Sequence, residues 1–266
     1  MNAFFPKFLR LNFLIQLALL AIASGAVAAE SVSPSDKLYE RADWVFNNAE
    51  QVHYVHRKVP ALRQVKSYSN GRCDADTDCS GFVSYLLSDF PKQYEAIRKL
   101  QPERKYPQAK IYLQFFNDLK RDVPTDGWIR VERINDLKRG DLIAWRKPQP
   151  PDGVKKKSNT GHVAIVIENK GSIEQTEING KKVRFQGVSV IDSSSVQHFQ
   201  PEVLPPLSSM AHRDGIGKGV VRIMLDESDR PIGYWEGTYW YEGKKEIRKP
   251  TFTESIAFAR LVSGGD

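Results

Sequence analysis

"GHVAIVIE" (Gly161–Glu168) is a short run rich in β-branched residues, bounded by turn formers and charge, and it reads as a β-strand. Runs of the same kind recur on both sides of it: "LIAW" (Leu142–Trp145) before, "VSVID" (Val188–Asp192) after. Between them "TEINGKKVRF" sets Asn179-Gly180 between two β-like runs, which predicts a hairpin. "GVVRIML" (Gly219–Leu225), "GYWEGTYWY" (Gly233–Tyr241) and "IAFARL" (Ile256–Leu261) continue the β pattern to the C-terminus.

Upstream of Trp128 the apolar period is helical. Leu38, Ala42, Val45, Phe46, Ala49 and Val52 form one stripe, and Pro34-Ser35 supply a start signal, so a helix is expected from Asp36 to about Lys58. A polar loop, "KSYSNGRCDADTD" (Lys66–Asp78), leads into "CSGFVSYLL" (Cys79–Leu87). There Cys79, Phe82, Val83, Leu86 and Leu87 share a helical face behind Asp78, a good N-cap. Pro91 to Pro124 is basic and reads as one or two short helices, with "YLQFFNDLK" (Tyr112–Lys120) the clearest. Helices first and a mostly antiparallel sheet afterwards make an α+β single domain, with neither repeats nor a long linker.

Lys7 and Arg10 precede an apolar run, "LNFLIQLALLAIA" (Leu11–Ala23), and an A-x-A site at Ala26 and Ala28. This is the pattern of a secretory signal peptide over residues 1–28, leaving a mature chain of residues 29–266. No other apolar run is long enough to span a bilayer, so no stable membrane anchor is expected after processing. Cleavage removes two of 39 basic residues, leaving 37 against 32 acidic, a formal +5. Export, and the absence of a basic stripe with interleaved aromatics, argue against nucleic acid as a partner.

The chain has two cysteines, Cys73 and Cys79, too few for a disulfide-stapled scaffold. With only five histidines and no close pairing of ligands, zinc is not expected. "DADTD" (Asp74–Asp78) begins like a calcium loop, but Cys79 stands at the glycine position and Tyr85 at the glutamate position. No metal or organic cofactor is called for. Cys79 opens a helix, where unpaired N–H groups and the helix dipole favour a thiolate. A thiol nucleophile needs a base. His53 and His56 fall on the expected first helix among charges, and His198 and His212 in a Pro- and Ser-rich stretch. His162 begins the apolar strand after a glycine, where an imidazole can meet the start of the Cys79 helix.

In that order, "DCSGFV" around Cys79, "LKRGDLIAW" (Leu137–Trp145) and "GHVAIVI" around His162 resemble the NlpC/p60 cell-wall peptidases, over residues 36–196. The resemblance implies a papain-like fold and an exported cysteine hydrolase that cleaves an amide bond of peptidoglycan stem peptides, from the periplasm or the cell wall. Residues 197–266 lie beyond it as an extension expected to complete the sheet. Carried over by position, Cys79 is the nucleophile and His162 the general base. Asp192, at the end of the strand after the His strand, is the orienting group, with Ser193, Gln197 and His198 as alternatives nearby. Tyr68 in "YSNGR" matches the family's oxyanion tyrosine and, with Ser80 and the Cys79 N–H, stands on the substrate side. The sequence departs from the family there, with Asn70 and Arg72 in place of Trp and Gly.

Two other readings remain open: a papain-like acyltransferase or lipid-amide hydrolase with the same Cys-His pair, and a non-catalytic wall-binding module. Cys73 is either a small loop residue or a redox partner of Cys79 in a reversible disulfide lock.

Overall fold

The computed structural model describes residues 32–56, 64–147, 161–178, 180–195, 214–235, 238–241, 244–247, 251–252 and 255–263. The chain divides into two compact units, Met1–Val32 and Ser33–Asp266. The signal-peptide expectation falls outside the described residues, and everything below concerns the second unit.

Helix α1 (Pro34–Asn48) starts where expected: the Ser33 hydroxyl accepts the Asp36 N–H at 3.1 Å and Pro34 occupies the first position. It stops ten residues earlier than its stripe suggests. Asn47 and Asn48 are weak helix formers whose amides turn back onto Asp43 and the Trp44 carbonyl. Ala49 is already extended. From there β1 (Ala49–Tyr54) runs parallel to β3 (Cys73–Thr77), whose other edge pairs antiparallel with β2 (Gln64–Ser67). Pairing with β3 outweighs the local helical pattern of residues 49–54. The expected polar loop is likewise a β2–β3 hairpin, closed by Tyr68 N–H to Arg72 C=O at 2.8 Å.

Three more helices follow, α2 (Cys79–Leu87), α3 (Pro91–Arg98) and α4 (Ala109–Asp118). The large sheet is built from β4 (Trp128–Val131), β5 (Leu142–Arg146), β6 (Gly161–Ile178), β7 (Lys181–Ser194), β8 (Gly215–Leu225), β9 (Pro231–Trp235), β12 (Thr251–Phe252) and β13 (Ile256–Leu261). Its order is β12-β9-β8-β7-β6-β5-β13-β4, with every neighbouring pair antiparallel. A separate hairpin joins β10 (Thr238–Tyr241) to β11 (Lys244–Ile247). The β6–β7 turn is the expected one: Ile178 pairs with Lys181 and Gly180 has φ +75. "IAFARL" returns as β13 and inserts between β5 and β4, one place in from the edge of the sheet. The molecule is thus α+β, with a large antiparallel sheet.

Alternate residues of the central strands serve two cores. Leu142, Ala144, Val163, Ile165 and Ile191 pack with the helices, while Ile143, Trp145, Ala164, Val166 and Val190 form a second core with β8, β9 and β13. The sheet curls over that second core: the Trp145 ring of β5 lies 5.1 Å from Tyr234 of β9, four places along the strand order. Burial on both faces accounts for the continuous apolar run of β6.

The Gly-Asp of "LKRGD" is a structural clasp. Gly140 has φ +81, and a Cβ there would stand 1.8 Å from the Ser35 carbonyl oxygen. Asp141, fully buried, accepts the Lys138 N–H and two hydrogen bonds from Arg260, each at 2.8 Å, joining the start of β5 to β13. Burial raises the Asp141 pKa, and the Arg260 guanidinium opposes that rise.

Candidate active site

Cys79 is the first residue of α2 and is 6% exposed. Its position is held from two directions. The Asp78 carboxylate caps the helix, accepting the Gly81 N–H at 2.8 Å and the Ser80 hydroxyl at 3.0 Å. One residue earlier, the Thr77 carbonyl accepts the Ser193 hydroxyl of β7 at 2.8 Å and the Val55 N–H at 3.2 Å. Close approach of the small sheet to the end of β8 depends on Gly215, where a Cβ would come 3.0 Å from the His53 nitrogen. These contacts fix the strand that delivers the thiol against the strand that carries Asp192.

His162 is the second residue of β6. Since Ile165 pairs with Ile191, Asp192 stands opposite Ala164 and diagonal to His162 on the same face of the sheet. The two side chains meet: His162 Nε2 and the Asp192 carboxylate share a short hydrogen bond. Both are buried. The Trp145 ring, directly across from His162 on β5, stands 4.8 Å from the imidazole and covers it.

Burial alone would discharge the imidazole. The Asp192 carboxylate and the Cys79 thiol outweigh it by charge and hydrogen bonding, and the His162 pKa lies well above its ordinary 6.5. With Nε2 engaged by Asp192, Nδ1 is the ring nitrogen left for the thiol. The arrangement is a thiol at a helix start, an imidazole held charged beside it, and a buried carboxylate orienting the ring.

The structure therefore brings Cys79, His162 and Asp192 together, and it does not bring Tyr68 to them. Tyr68 sits in the β2–β3 turn, 44% exposed, with its hydroxyl donated to Asp74, which raises the Tyr68 pKa. Asp74 and Cys79 are separated by extended chain, about 16 Å at 3.3 Å per residue. The oxyanion role expected of Tyr68 has no support in this placement. Ser80 is buried, and its hydroxyl is spent on the Asp78 cap.

Of the two readings of Cys73, its placement supports the unpaired small residue and not the redox partner. It is a free, fully buried thiol at the start of β3, with Sγ 3.9 Å from the Val45 carbonyl and its pKa raised by burial. Four strand steps to Thr77 span roughly 13 Å, against the 4.4–6.8 Å Cα separation a disulfide needs. Asp78 is extended too, with ψ 176, so the chain does not turn back. The segment read as a loop is a strand, and no Cys73–Cys79 bond fits this fold.

Sequence reading assigned nothing to His56. It follows β1 instead of lying on a helix, and its Nδ1 is 3.1 Å from the Asp78 carboxylate. The alternation in "QVHYVH" (Gln51–His56) was the available signal for a strand. Of the alternative third residues, Ser193 holds the Thr77 carbonyl, and Gln197 and His198 lie outside the described residues, as does His212.

Among the described residues no cluster of three or more His, Cys, Asp or Glu is arranged to hold a metal ion. A cleft of about 610 Å³ lies beside the middle of β6, lined by Asp36, Arg139, Asn169 and Arg260 among others. Asp36 is paired there with Arg139 and Arg260 with Asp141, and Cys79 is not among the lining residues. Comparison with family models, with curated proteins and with solved structures returned no match.

Proposed function

We propose that this chain is an exported cysteine hydrolase of papain-like fold that cleaves an amide bond in the stem peptides of peptidoglycan. The observation that carries the reading is the buried His162–Asp192 pair, held charged beside a cysteine at a helix start. The substrate class rests on the signal-like N-terminus and on the resemblance of the three motifs to NlpC/p60 peptidases.

The residues divide the work as follows. The Cys79 sulfur attacks the amide carbon, forming the C–S bond and placing negative charge on the carbonyl oxygen. The first N–H groups of α2 stabilise that oxyanion, in place of the hydroxyl expected from Tyr68. The His162 imidazolium gives its proton to the leaving amine as the C–N bond breaks. Neutral His162 then takes a proton from water, which attacks the thioester and returns the thiol and a carboxylic acid. Asp192 fixes the ring and stabilises its charged form throughout, as the aspartate of a serine-protease triad does.

Mass spectrometry of purified peptidoglycan digested with mature protein, beside Cys79→Ala, tests this reading. New muropeptides are expected from the wild type alone. Identical products from the two proteins would remove peptidoglycan as the substrate.

A further inference from the structure

A second imidazole–carboxylate pair adjoins the nucleophile, its carboxylate one residue before Cys79. His56 Nδ1 is 3.1 Å from Asp78 Oδ2, while Asp78 Oδ1 is occupied by the Ser80 hydroxyl and the Gly81 N–H. The Asp78 side chain is 3% exposed and that of His56 35%, so the carboxylate is buried and the imidazole closes it off from solvent. The Tyr54 ring lies nearly parallel to the His56 ring, 6.3 Å away and 7° from coplanar, on the same face of the chain.

This pair presents a charge problem. A buried carboxylate one residue before a nucleophile disfavours a thiolate there, and it does so at a helix start that would otherwise favour one. The cap needs a carbonyl-like oxygen at Asp78, but it does not need the charge: an Asn or Ser satisfies the same N–H. Asp78 is an aspartate with an imidazole on its second oxygen, an arrangement that allows the charge to be cancelled by protonation of His56.

We propose that His56 is a positioning residue for Cys79: its imidazolium neutralises the Asp78 carboxylate and thereby keeps the thiolate of the nucleophile accessible. The proposal rests on Cys79 being the nucleophile, and it is independent of which amide is cleaved. Among the described residues the printed contacts of His56 are the Asp78 carboxylate and the Tyr54 ring, two residues before it at the end of β1. Asp76 pairs across the small sheet with His53, and His53 faces Asp214, so Asp78 is the partner in direct contact with His56. Loss of positive charge at His56 leaves Asp78 uncompensated, and the effect passes to Cys79 through one peptide unit.

The test is the pH dependence of Cys79 alkylation by iodoacetamide, read at the Cys79 peptide by mass spectrometry so that Cys73 does not contribute. Wild type, His56→Ala, His56→Gln, Asp78→Asn and the His56→Ala/Asp78→Asn double variant are compared. His56→Ala should move the half-maximal point upward by about one pH unit, a roughly tenfold loss of rate on the acid limb. His56→Gln, a neutral donor of similar reach, should move it in the same direction, because charge and not the hydrogen bond alone is at work. The double variant should return to near the wild-type profile, since Asn keeps the cap and removes the charge that His56 offsets. A profile unchanged in both His56 variants overturns the proposal. So does a shift that persists in the double variant, which marks a merely structural role. If the wild-type thiol titrates as an ordinary free cysteine, it is the Cys79–His162 reading that fails. Because no peptidoglycan is present, a wrong substrate assignment leaves the outcome untouched.

Discussion

Replacing Asp192 by alanine removes the group that reverses the effect of burial on His162. Burial pushes the imidazole toward its neutral form, and the Asp192 carboxylate and Cys79 thiol push it back, with the balance well on the charged side. Asp192 is 1% exposed, so its loss is not made good by bulk water. Breaking a buried ion pair from one side costs about 3–5 kcal/mol. If that falls on the charge-separated thiolate–imidazolium state, at 1.36 kcal/mol per decade turnover drops by about 10²–10⁴-fold. Asp192→Asn, which keeps an oxygen or N–H for Nε2, should lose less. Turnover is measured as product released from purified peptidoglycan, with thermal unfolding followed in parallel against pH. The raised folded-state pKa of His162 means its contribution to stability is full below the ordinary 6.5 and fades as pH rises through the folded value. The difference in Tm between wild type and Asp192→Ala should therefore be largest in mildly acidic buffer and shrink toward alkaline pH. Turnover in Asp192→Ala within a few-fold of wild type would refute this role for the carboxylate.

Further outcomes follow from the same geometry. Cys73→Ser should keep its turnover with or without dithiothreitol, and peptide mapping of folded, oxidised wild type should find no Cys73–Cys79 cross-link. Trp145→Ala opens a cavity beside His162 and should cost about 3–5 kcal/mol by denaturant unfolding, together with a fall in kcat that Trp145→Phe largely restores. Asp141→Ala strands the Arg260 guanidinium and should cost about 3–5 kcal/mol of stability, while kcat of the protein that remains folded stays near wild type. Tyr68→Phe should leave kcat within about twofold, because its hydroxyl is on Asp74 and far from the thiol.

Local sequence was enough for the elements whose own residues decide them. The β-branched runs at 142–145, 162–168, 188–192 and 256–261 are strands, Gly180 lies where the chain turns from β6 to β7, and the Asp78 cap sets the start of α2. The pairing of Cys79 with His162 was suggested by a thiol at a helix start and an imidazole at a strand start, whereas Asp192 entered only through the resemblance to NlpC/p60 peptidases. What the sequence could not decide depends on partners distant along the chain. Residues 49–54 carry a helical stripe, and only β3, more than twenty residues later, makes them a strand. That same strand straightens the segment between Cys73 and Cys79, which separates two thiols that look adjacent in sequence and sends Tyr68 to the far end of a hairpin. His56 could be seen as part of the site only after β1 had been laid beside β3, since its meaning lies in the carboxylate opposite. Periodicity and caps are local and therefore readable, whereas strand partnership, register and the match of one buried charge to another are decided by the whole packed chain.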